Sequence, residues 1–354
     1  MVNMELEFYR GKRVLITGHT GFKGSWLCQT LLNYGAKICG IGLRPNTDPA
    51  LFEILRLEDK IENHYLDIRE YDKVKAVFDT FKPQIVFHLA AQPIVIESYK
   101  NPRYTYEVNV MGTVNICECV RNCDSVKSFV NVTTDKVYEN IEDYDHYYTE
   151  EEKLNGYDPY SNSKSCSELV TQSYIKSFFF EKEVAVSTCR AGNVIGGGDF
   201  ADNRIVPDCV RATIKKEPIK VRNMNSYRPY QHVLEADMFY LMLAQKQFND
   251  RNLAGHYNIG PNDEDCISTG ELVKLFIRYW PQATFEAVNV EGPHEANFLK
   301  LDSGKARKTF DWSPKWSVDE AIRHSVEWYK AFDERKDLIR ITNKQIEDYV
   351  GVGL

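Results

Sequence analysis

The fold of this chain is decided by a short stretch, Arg13-Val14-Leu15-Ile16-Thr17, which is followed at once by Gly18-His19-Thr20-Gly21-Phe22-Lys23-Gly24. The apolar run suits a buried parallel strand. Residues 25–34 have the pattern of an amphipathic helix that ends at Gly35. A strand, a glycine turn and a helix in that order predict a dinucleotide site, because glycines let backbone N–H groups approach a pyrophosphate at the helix N-terminus. We expect the cofactor to contact Gly18, Thr20, Gly21, Phe22 and Gly24.

Strands alternate with helices over the first 190 residues, which predicts an α/β fold with a doubly wound parallel (Rossmann) sheet. The alternation loosens afterwards and predicts a smaller, mixed C-terminal substrate-binding lobe. We expect a dinucleotide-binding domain at residues 1–194, with a returning segment near 230–260, and a lobe that takes most of 195–354. Ligands of such sheets collect at the carboxyl ends of the strands.

Other strand ends offer further cofactor contacts. A third short strand is predicted at 63–68, and Asp67 and Ile68 at its end suit the adenine edge. The small side chains of Ala90 and Ala91 would let a cofactor lie against the backbone. Arg44 follows the second strand, where NAD-binding chains usually carry an acid, whereas a cation there can hold a 2′-phosphate. An exposed arginine at a strand end is also common, so both NAD and NADP stay open.

The candidate catalytic groups lie in two neighbouring segments. A buried strand, 128–132, leads into Thr134, Asp135 and Lys136, while Tyr160 and Lys164 are four residues apart and share one face of a helix. A nearby cation favours an ionised phenol. Strict strand geometry would send Asp135 and Lys136 to opposite faces, so both reach one site only if the strand ends at Thr134.

Two polar residues lie within apolar runs, and a third lies among aromatics. His88 is predicted to be a hydrogen-bonded core histidine, and Asn109 should serve a structural hydrogen bond. Arg228 lies among tyrosines and a histidine, and with Arg204 it could bind an anionic substrate, since arginine forks suit phosphate oxygens. The alternative for Arg228 is a surface ion pair.

The composition excludes several classes of protein. Of the 354 residues, 43% are hydrophobic and 27% are charged, and the net charge is −7 without a block of like charge, so neither nucleic acid nor an anionic membrane is expected as a partner. Because there is no apolar run of roughly 20 residues and no secretion-signal pattern at the start, we expect a cytoplasmic protein. Of the nine cysteines, the cluster Cys117, Cys119 and Cys123 lies in a helical pattern and is interpreted as buried free thiols, and no metal is expected.

The chain resembles the extended short-chain dehydrogenase/reductase family over nearly its whole length. The shared marks are Gly-x-x-Gly-x-x-Gly at 18–24, the Tyr160/Lys164 pair and the hydroxyl of Thr134. Within that family it is most similar to the nucleotide-sugar 4,6-dehydratases that act on CDP-glucose. The stretches that carry this second resemblance are 18–26, 89–93, 134–136, 192–199, 228–232 and 293–296.

The resemblance implies a reaction and a set of site residues. Tyr160, its pKa lowered by Lys164 and the nicotinamide, takes the proton of the sugar 4-hydroxyl during oxidation at C4, and Thr134 hydrogen-bonds that oxygen. Asp135 is expected to be the acid that helps the 6-hydroxyl leave as water, and Lys136 to be either the base at C5 or a positioning cation. The cofactor is regenerated in each turnover. The implied substrate contacts are Gln92, Asn193, Arg204, Arg228, Gln231, His232 and Glu295.

The resemblance also implies a homodimer or homotetramer, with the helices at 104–120 and 160–178 as the interface. Three other functions are open on the sequence. The enzyme could dehydrate another nucleotide sugar, such as a GDP-linked hexose or a heptose, or it could be a nucleotide-sugar epimerase or reductase. A non-catalytic redox sensor on the same fold would commonly lack the Tyr160/Lys164 pair.

Overall fold

The centre of the molecule is a seven-stranded parallel sheet. The computed structural model of the protein describes residues 6–288 and 298–351. The strands are β1 (Arg13–Thr17), β2 (Lys37–Gly42), β3 (Glu62–Tyr65), β4 (Ile85–His88), β5 (Ser128–Val132), β6 (Ala185–Ala191) and β7 (His256–Ile259). Their order in the sheet is β7-β6-β5-β4-β1-β2-β3. The chain reverses its direction of sheet growth between β1 and β4, so the predicted doubly wound parallel sheet is confirmed.

Helices cover both faces of the sheet. The main helices are α1 (Phe22–Asn33), α2 (Tyr71–Phe81), α3 (Gly112–Arg121), α4 (Pro159–Tyr174), α5 (Ile205–Lys215), α6 (Val233–Asn249), α7 (Thr269–Tyr279), α8 (Val318–Asp333) and α9 (Leu338–Val350). One apolar core includes α1, α6 and α8, and a second includes α2, α3 and the opposite face of β1 and β2. The buried strands are apolar on both faces for this reason, as parallel strands usually are.

Shorter helical segments extend or connect these elements. They are Leu6–Tyr9, Leu51–Ile54, Val95–Lys100, Pro102–Tyr106, Glu107–Met111, Asp135–Val137, Ile175–Phe179, Phe180–Lys182, Arg251–Leu253, Asp263–Asp265 and Gly304–Phe310. The helix predicted at 104–120 is therefore continuous from 102 to 121, with one wider turn inside it. No helix in the described parts of the chain has the length and apolar character needed to cross a membrane.

The chain after residue 194 contributes to both parts of the molecule. Helix α6 packs against the central sheet, and β7 pairs with β6 at the sheet edge. The remaining strands form three small pairs: Val194–Ile195 with Gln231–His232, Tyr227–Pro229 with Cys266–Ser268, and Ile219–Val221 with Phe285–Ala287. This mixed part forms the smaller C-terminal lobe, while the exact division at residue 194 stays a prediction.

Candidate active site

The glycine loop packs so closely that larger side chains would not fit. Gly18 has a positive φ of 76°, and a Cβ there would lie 2.7 Å from the backbone nitrogen of Ala90. A Cβ on Gly24 would lie 2.3 Å from the Gly18 carbonyl oxygen. Gly21, by contrast, is exposed at the N-terminus of α1, and no side chain caps it. The N-terminus of α1 is thus open to an anionic group such as a pyrophosphate.

The other predicted cofactor contacts line the same sheet edge. The Thr20 hydroxyl donates to the Leu43 carbonyl at 2.8 Å, and the half-buried Phe22 packs against the core at the first turn of α1. The Ala90 N–H donates to the Thr17 hydroxyl at 3.2 Å, and Ala91 follows it, half-buried. These contacts hold the two loops at the ends of β1 and β4 side by side.

The part of this edge that is predicted to bind the adenine is more exposed. The Arg44 guanidinium lies 4.2 Å from the centre of the Tyr65 ring, and its side chain is exposed. The Asp67 carboxylate accepts a 2.8 Å hydrogen bond from Arg69, and Ile68 is buried against α3. Strand β3 ends at Tyr65, three residues earlier than predicted, so Asp67 and Ile68 lie in the following turn.

The residues after β5 form a tight helical turn. Strand β5 ends at Val132, and Thr134 caps a single 3₁₀ turn at Asp135–Val137. The Thr134 hydroxyl donates to Asp135 Oδ1 at 2.9 Å and accepts the Lys136 N–H at 3.4 Å. The strand, expected to end at Thr134, ends two residues earlier, at Val132, so Asp135 and Lys136 lie outside it and are not forced to opposite faces.

Tyr160 and Lys164 lie on adjacent turns of α4. Asp158 caps this helix by accepting the Ser161 N–H at 3.0 Å, and Pro159 occupies its first position. Both Tyr160 and Lys164 are buried, and the Lys164 Nζ donates to the Val132 carbonyl at 3.1 Å. That bond ties the helix to the end of β5, next to the Thr134 turn.

Burial dominates the electrostatics of these groups. It raises the pKa of Tyr160 to about 12, and a hydrogen bond with Thr134 offsets only part of that rise. Burial, with repulsion from Lys23, lowers the pKa of Lys164 to about 8. Burial also raises the pKa of the Asp135 carboxyl, an effect that the charges of Lys136 and Arg228 offset in part. In the protein alone, the pKa of Tyr160 is therefore raised, whereas the resemblance implies a lowered pKa in the presence of the nicotinamide.

A cavity of about 340 Å³ opens beside the turn. Its described lining includes Asp135 and Lys136 from the turn, Asp158 and Ser161 from the start of α4, and Arg228 from the C-terminal lobe. Arg228 is buried and interacts electrostatically with Asp135. The cavity thus brings together the acid, the cation and one of the two predicted arginines at the carboxyl edge of the sheet.

Several residues predicted to bind substrate do not line this cavity. Gln92 is buried and hydrogen-bonds Thr105 and the Ile94 N–H, while the predicted structural residue Asn109 donates to the Gln92 carbonyl. Gln231 donates to the Ile259 carbonyl, and its own N–H pairs with the carbonyl of Asn193, whose side chain is half-buried.

The remaining predicted contacts have other surroundings. His232 is fully buried, caps α6 by accepting the Leu234 N–H, and packs between two tryptophans. Arg204 is ion-paired with Asp199 at 2.8 Å, although its charge also acts on Tyr160. Glu295 lies outside the described residues. The role of each in substrate binding stays a prediction.

The core polar residues behave as expected. The ring nitrogens of His88 form hydrogen bonds with the Thr17 hydroxyl at 2.7 Å and the Thr113 hydroxyl at 3.3 Å. Burial lowers the pKa of His88 to about 3. All nine cysteines are free, and Cys117, Cys119 and Cys123 are buried, which confirms the interpretation of these thiols.

Part of the cavity wall is formed by residues that were not predicted from the sequence. Asn140, Glu142 and Tyr157 line it together with Asp158 and Ser161. The one signal that could have identified this wall is the Asp158-Pro159 pair, a helix start placed directly before Tyr160. Asn140 and Glu142 lie in a connection without periodic pattern, and nothing in their local sequence marks them.

The comparisons with known proteins agree with this geometry. The family described as GDP-mannose 4,6 dehydratase matches residues 15–325. The chain belongs to this family. The expected membership in the extended short-chain dehydrogenases/reductases, among the nucleotide-sugar 4,6-dehydratases, is confirmed.

Individual members of the dehydratase family and its neighbours align over nearly the whole chain. The CDP-glucose 4,6-dehydratase of Salmonella typhimurium is 42% identical, with 98% of each chain covered. The CDP-paratose 2-epimerase of Salmonella typhi is 27% identical over 89% of this chain and 98% of its own. The solved structure of dTDP-glucose 4,6-dehydratase from Bacillus anthracis, in complex with NAD, has a TM-score of 0.75 at 21% identity and covers 93% of this chain and 100% of that one.

Proposed function

We propose that the protein converts CDP-glucose to CDP-4-keto-6-deoxyglucose, by oxidation at C4, loss of water across C5 and C6, and reduction at C6. The observation that carries the proposal is the 3₁₀ turn after β5, which presents Asp135 and Lys136 together to a cavity that is also lined by Asp158 and Ser161, on either side of Tyr160 in the chain. An epimerase or reductase needs Tyr160, Lys164 and Thr134 but no acid and base beyond them. The choice of CDP-glucose is supported by the 42% identical Salmonella enzyme.

We infer a tightly bound nicotinamide dinucleotide, which would accept the hydrogen of C4 and return it to C6 within one turnover. Support comes from the exposed N-terminus of α1 and from Gly18 and Gly24, which leave no room for side chains between the loops. Arg44 favours NADP, since it is exposed where a 2′-phosphate would lie, and the likeness to the nucleotide-sugar dehydratases favours NAD. Identifying the dinucleotide released by the denatured protein decides between them.

In the oxidation step, Tyr160 would accept the 4-hydroxyl proton. Its pKa of about 12 in the protein alone means that cations must stabilise the phenolate when the site is filled. Lowering that pKa to neutrality corresponds to about 7 kcal/mol, at about 1.4 kcal/mol for each tenfold change in proton affinity. Because Lys164 already belongs to the protein alone, the positively charged nicotinamide is the group that would have to supply this stabilisation.

In the elimination step, Asp135 would protonate the departing 6-hydroxyl. Its raised pKa suits this role, because a general acid must hold its proton near the working pH. The half-buried Lys136 follows directly in the turn and would take the C5 proton or hold the sugar in place. The protons balance if Lys136 takes the C5 proton while Asp135 gives one to the departing water, because C5 would regain its proton as C6 is reduced and the 4-hydroxyl proton taken by Tyr160 would restore Asp135.

A panel of nucleotide sugars tests the substrate. CDP-glucose, dTDP-glucose, UDP-glucose, GDP-mannose and a nucleotide-linked heptose would each be incubated with the protein, and the 4-keto product would be followed by its absorbance in base. We expect turnover of CDP-glucose. Activity confined to a GDP-sugar or a heptose would overturn the substrate assignment, and a C2 or C4 epimer without loss of water would overturn the reaction.

Two variants test the assignment of the steps. Asp135→Asn keeps an oxygen that can accept the Thr134 hydrogen bond but lacks the transferable proton, so turnover should fall by about 10²- to 10⁴-fold while reduced cofactor still forms. Tyr160→Phe should lose both turnover and cofactor reduction. Full turnover in Asp135→Asn would refute the elimination mechanism.

We propose a homodimer or homotetramer built on the helices at 104–120 and 160–178. Apolar side chains on these helices face outward, since Met111 is 52% exposed and Leu169 is 51% exposed. Leu169→Glu should shift the solution mass to the monomer, and Leu43→Glu, at an exposed leucine directly after β2, is the matched control. A wild-type protein that is monomeric at micromolar concentration would contradict the proposal. The cytoplasmic location stays a prediction.

A further inference from the structure

A fully buried ion pair lies beneath the catalytic turn. Arg190 on β6 binds Glu168 on α4 through two hydrogen bonds, Nε to Oε1 at 3.0 Å and one terminal nitrogen to Oε2 at 2.9 Å. The side chains are 1% and 0% exposed. Removing two charges from water costs several kcal/mol per ion, so a buried pair is weak evidence for stability and calls for another explanation.

The pair contacts both ends of the turn. The Thr133 hydroxyl donates to Glu168 Oε1 at 2.5 Å, and Arg190 donates to the Tyr138 hydroxyl at 2.9 Å. The Arg190 guanidinium also lies 5.2 Å from the centre of the Tyr138 ring. Thr134, Asp135 and Lys136 therefore lie in a segment of four residues whose two flanking side chains are fixed to the same ion pair.

The turn needs this support because it has little of its own. A 3₁₀ turn of three residues has poorer hydrogen-bond geometry than an α-helix, and its internal side-chain bonds come from Thr134. Catalytic groups must be held close to their reacting geometry, and a shift of about 1 Å can cost about 100-fold in rate.

Glu168 also connects the turn with the oxidation groups. Tyr160, Lys164 and Glu168 are spaced by four residues on α4, so they occupy one face of the helix on successive turns. The negative charge of Glu168 acts on Lys164. A single helix face therefore carries the oxidation pair and the anchor of the elimination turn.

We propose that Glu168 and Arg190 are positioning residues, which hold Asp135 and Lys136 in register with Tyr160 through Thr133 and Tyr138. This inference rests on the proposed dehydration for its kinetic consequence. The immobilisation of the turn by Glu168 and Arg190 does not depend on which substrate the protein binds.

Two threonines provide a matched test. Thr133 and Thr188 both donate a hydroxyl to Glu168, at 2.5 and 2.7 Å, but only Thr133 adjoins the turn, while Thr188 lies inside β6. Thr133→Val and Thr188→Val remove one hydroxyl each and leave the ion pair in place, so both should fold. Thr133→Ser keeps the hydroxyl and should restore the wild-type behaviour.

For Thr133→Val we expect dehydration turnover to fall by about 10-fold or more. The formation of the reduced dinucleotide and the KM should each change by less than about 3-fold. Hydrogen exchange at the amides of 134–137, measured without substrate, should become faster. Thr188→Val should change none of these by more than about 2-fold. Equal losses in the two valine variants, wild-type exchange in Thr133→Val, or no recovery in Thr133→Ser would overturn the proposal. If the wild-type protein does not dehydrate CDP-glucose, the proposed function fails, and the exchange measurement alone decides on the positioning role.

Discussion

Replacing Glu235 with glutamine should remove most of a pH dependence of stability that arises from one buried carboxyl. Glu235 lies in the first turn of α6 and is fully buried. It accepts the N–H groups of Lys315 and Trp316, the latter at 2.8 Å, and the Tyr349 hydroxyl at 2.6 Å. It therefore joins α6 on the sheet to the segment before α8 and to α9.

The size of the effect follows from the pKa. Burial raises the pKa of Glu235 from 4.5 to about 7, with its hydrogen bonds offsetting part of the rise. At about 1.4 kcal/mol for each tenfold change in proton affinity, this difference amounts to about 3 kcal/mol. Because the folded state binds the proton more tightly, the contribution is complete below pH 4.5 and is lost as the pH rises through about 7.

Urea unfolding at pH 5, 6, 7 and 8 measures this effect. Between pH 5 and pH 8 we expect the unfolding free energy of the wild-type protein to fall by about 2 to 3 kcal/mol relative to Glu235→Gln, which keeps a neutral side chain able to serve the same bonds. Glu271→Gln is the control. Hydrogen bonds from Ser268 hold the pKa of Glu271 below the usual value, so its contribution to the unfolding free energy is lost as the pH falls and not as it rises. Parallel stability curves for the wild-type protein and Glu235→Gln would refute the reasoning.

Three further predictions concern the packed interior. Gly197→Ala should lower the melting temperature and cost about 1 to 3 kcal/mol, because the new Cβ would lie 2.0 Å from Trp328. His88→Gln should leave the pH profile of turnover between pH 5 and 9 unchanged, because burial keeps the pKa of His88 at about 3, while a denaturation curve should show a loss of about 1 to 2 kcal/mol. Cys117 and Cys209 should resist a thiol reagent at pH 8 until the protein unfolds, because burial raises the pKa of both thiols, and reaction at the rate of a free thiol would contradict this.

The sheet and the glycine loop could be predicted because their signals are local. Strand β1 is an apolar run. The glycines after it are required by close backbone contact, since a Cβ added to Gly18 would lie 2.7 Å from the backbone nitrogen of Ala90. The Tyr160/Lys164 pair could be predicted for the same reason, since a spacing of four residues fixes a shared helix face.

The partners of polar residues could not be predicted, because they come from distant segments. The Gln92 amide bonds Thr105, and His232 caps the helix that begins at the next residue while packing against Trp26. Arg190 is one of the largest fully buried side chains and is paired with a residue on α4, a partner that nothing in its local sequence indicates. Sequence periodicity shows which face a residue occupies, but not which hydrogen bonds it makes there.

The Thr134 hydroxyl links the two halves of the proposed reaction. A hydroxyl has one proton to donate, and Asp135 Oδ1 receives it at 2.9 Å in the protein alone. The Tyr160 phenolate competes for the same proton, and a negative charge on Asp135 raises the pKa of Tyr160. A protonated Asp135 removes both effects, because it releases the Thr134 proton and carries no charge. The neutral acid needed for elimination and the phenolate needed for oxidation therefore favour each other, which is the physical reason to place Asp135 directly after Thr134.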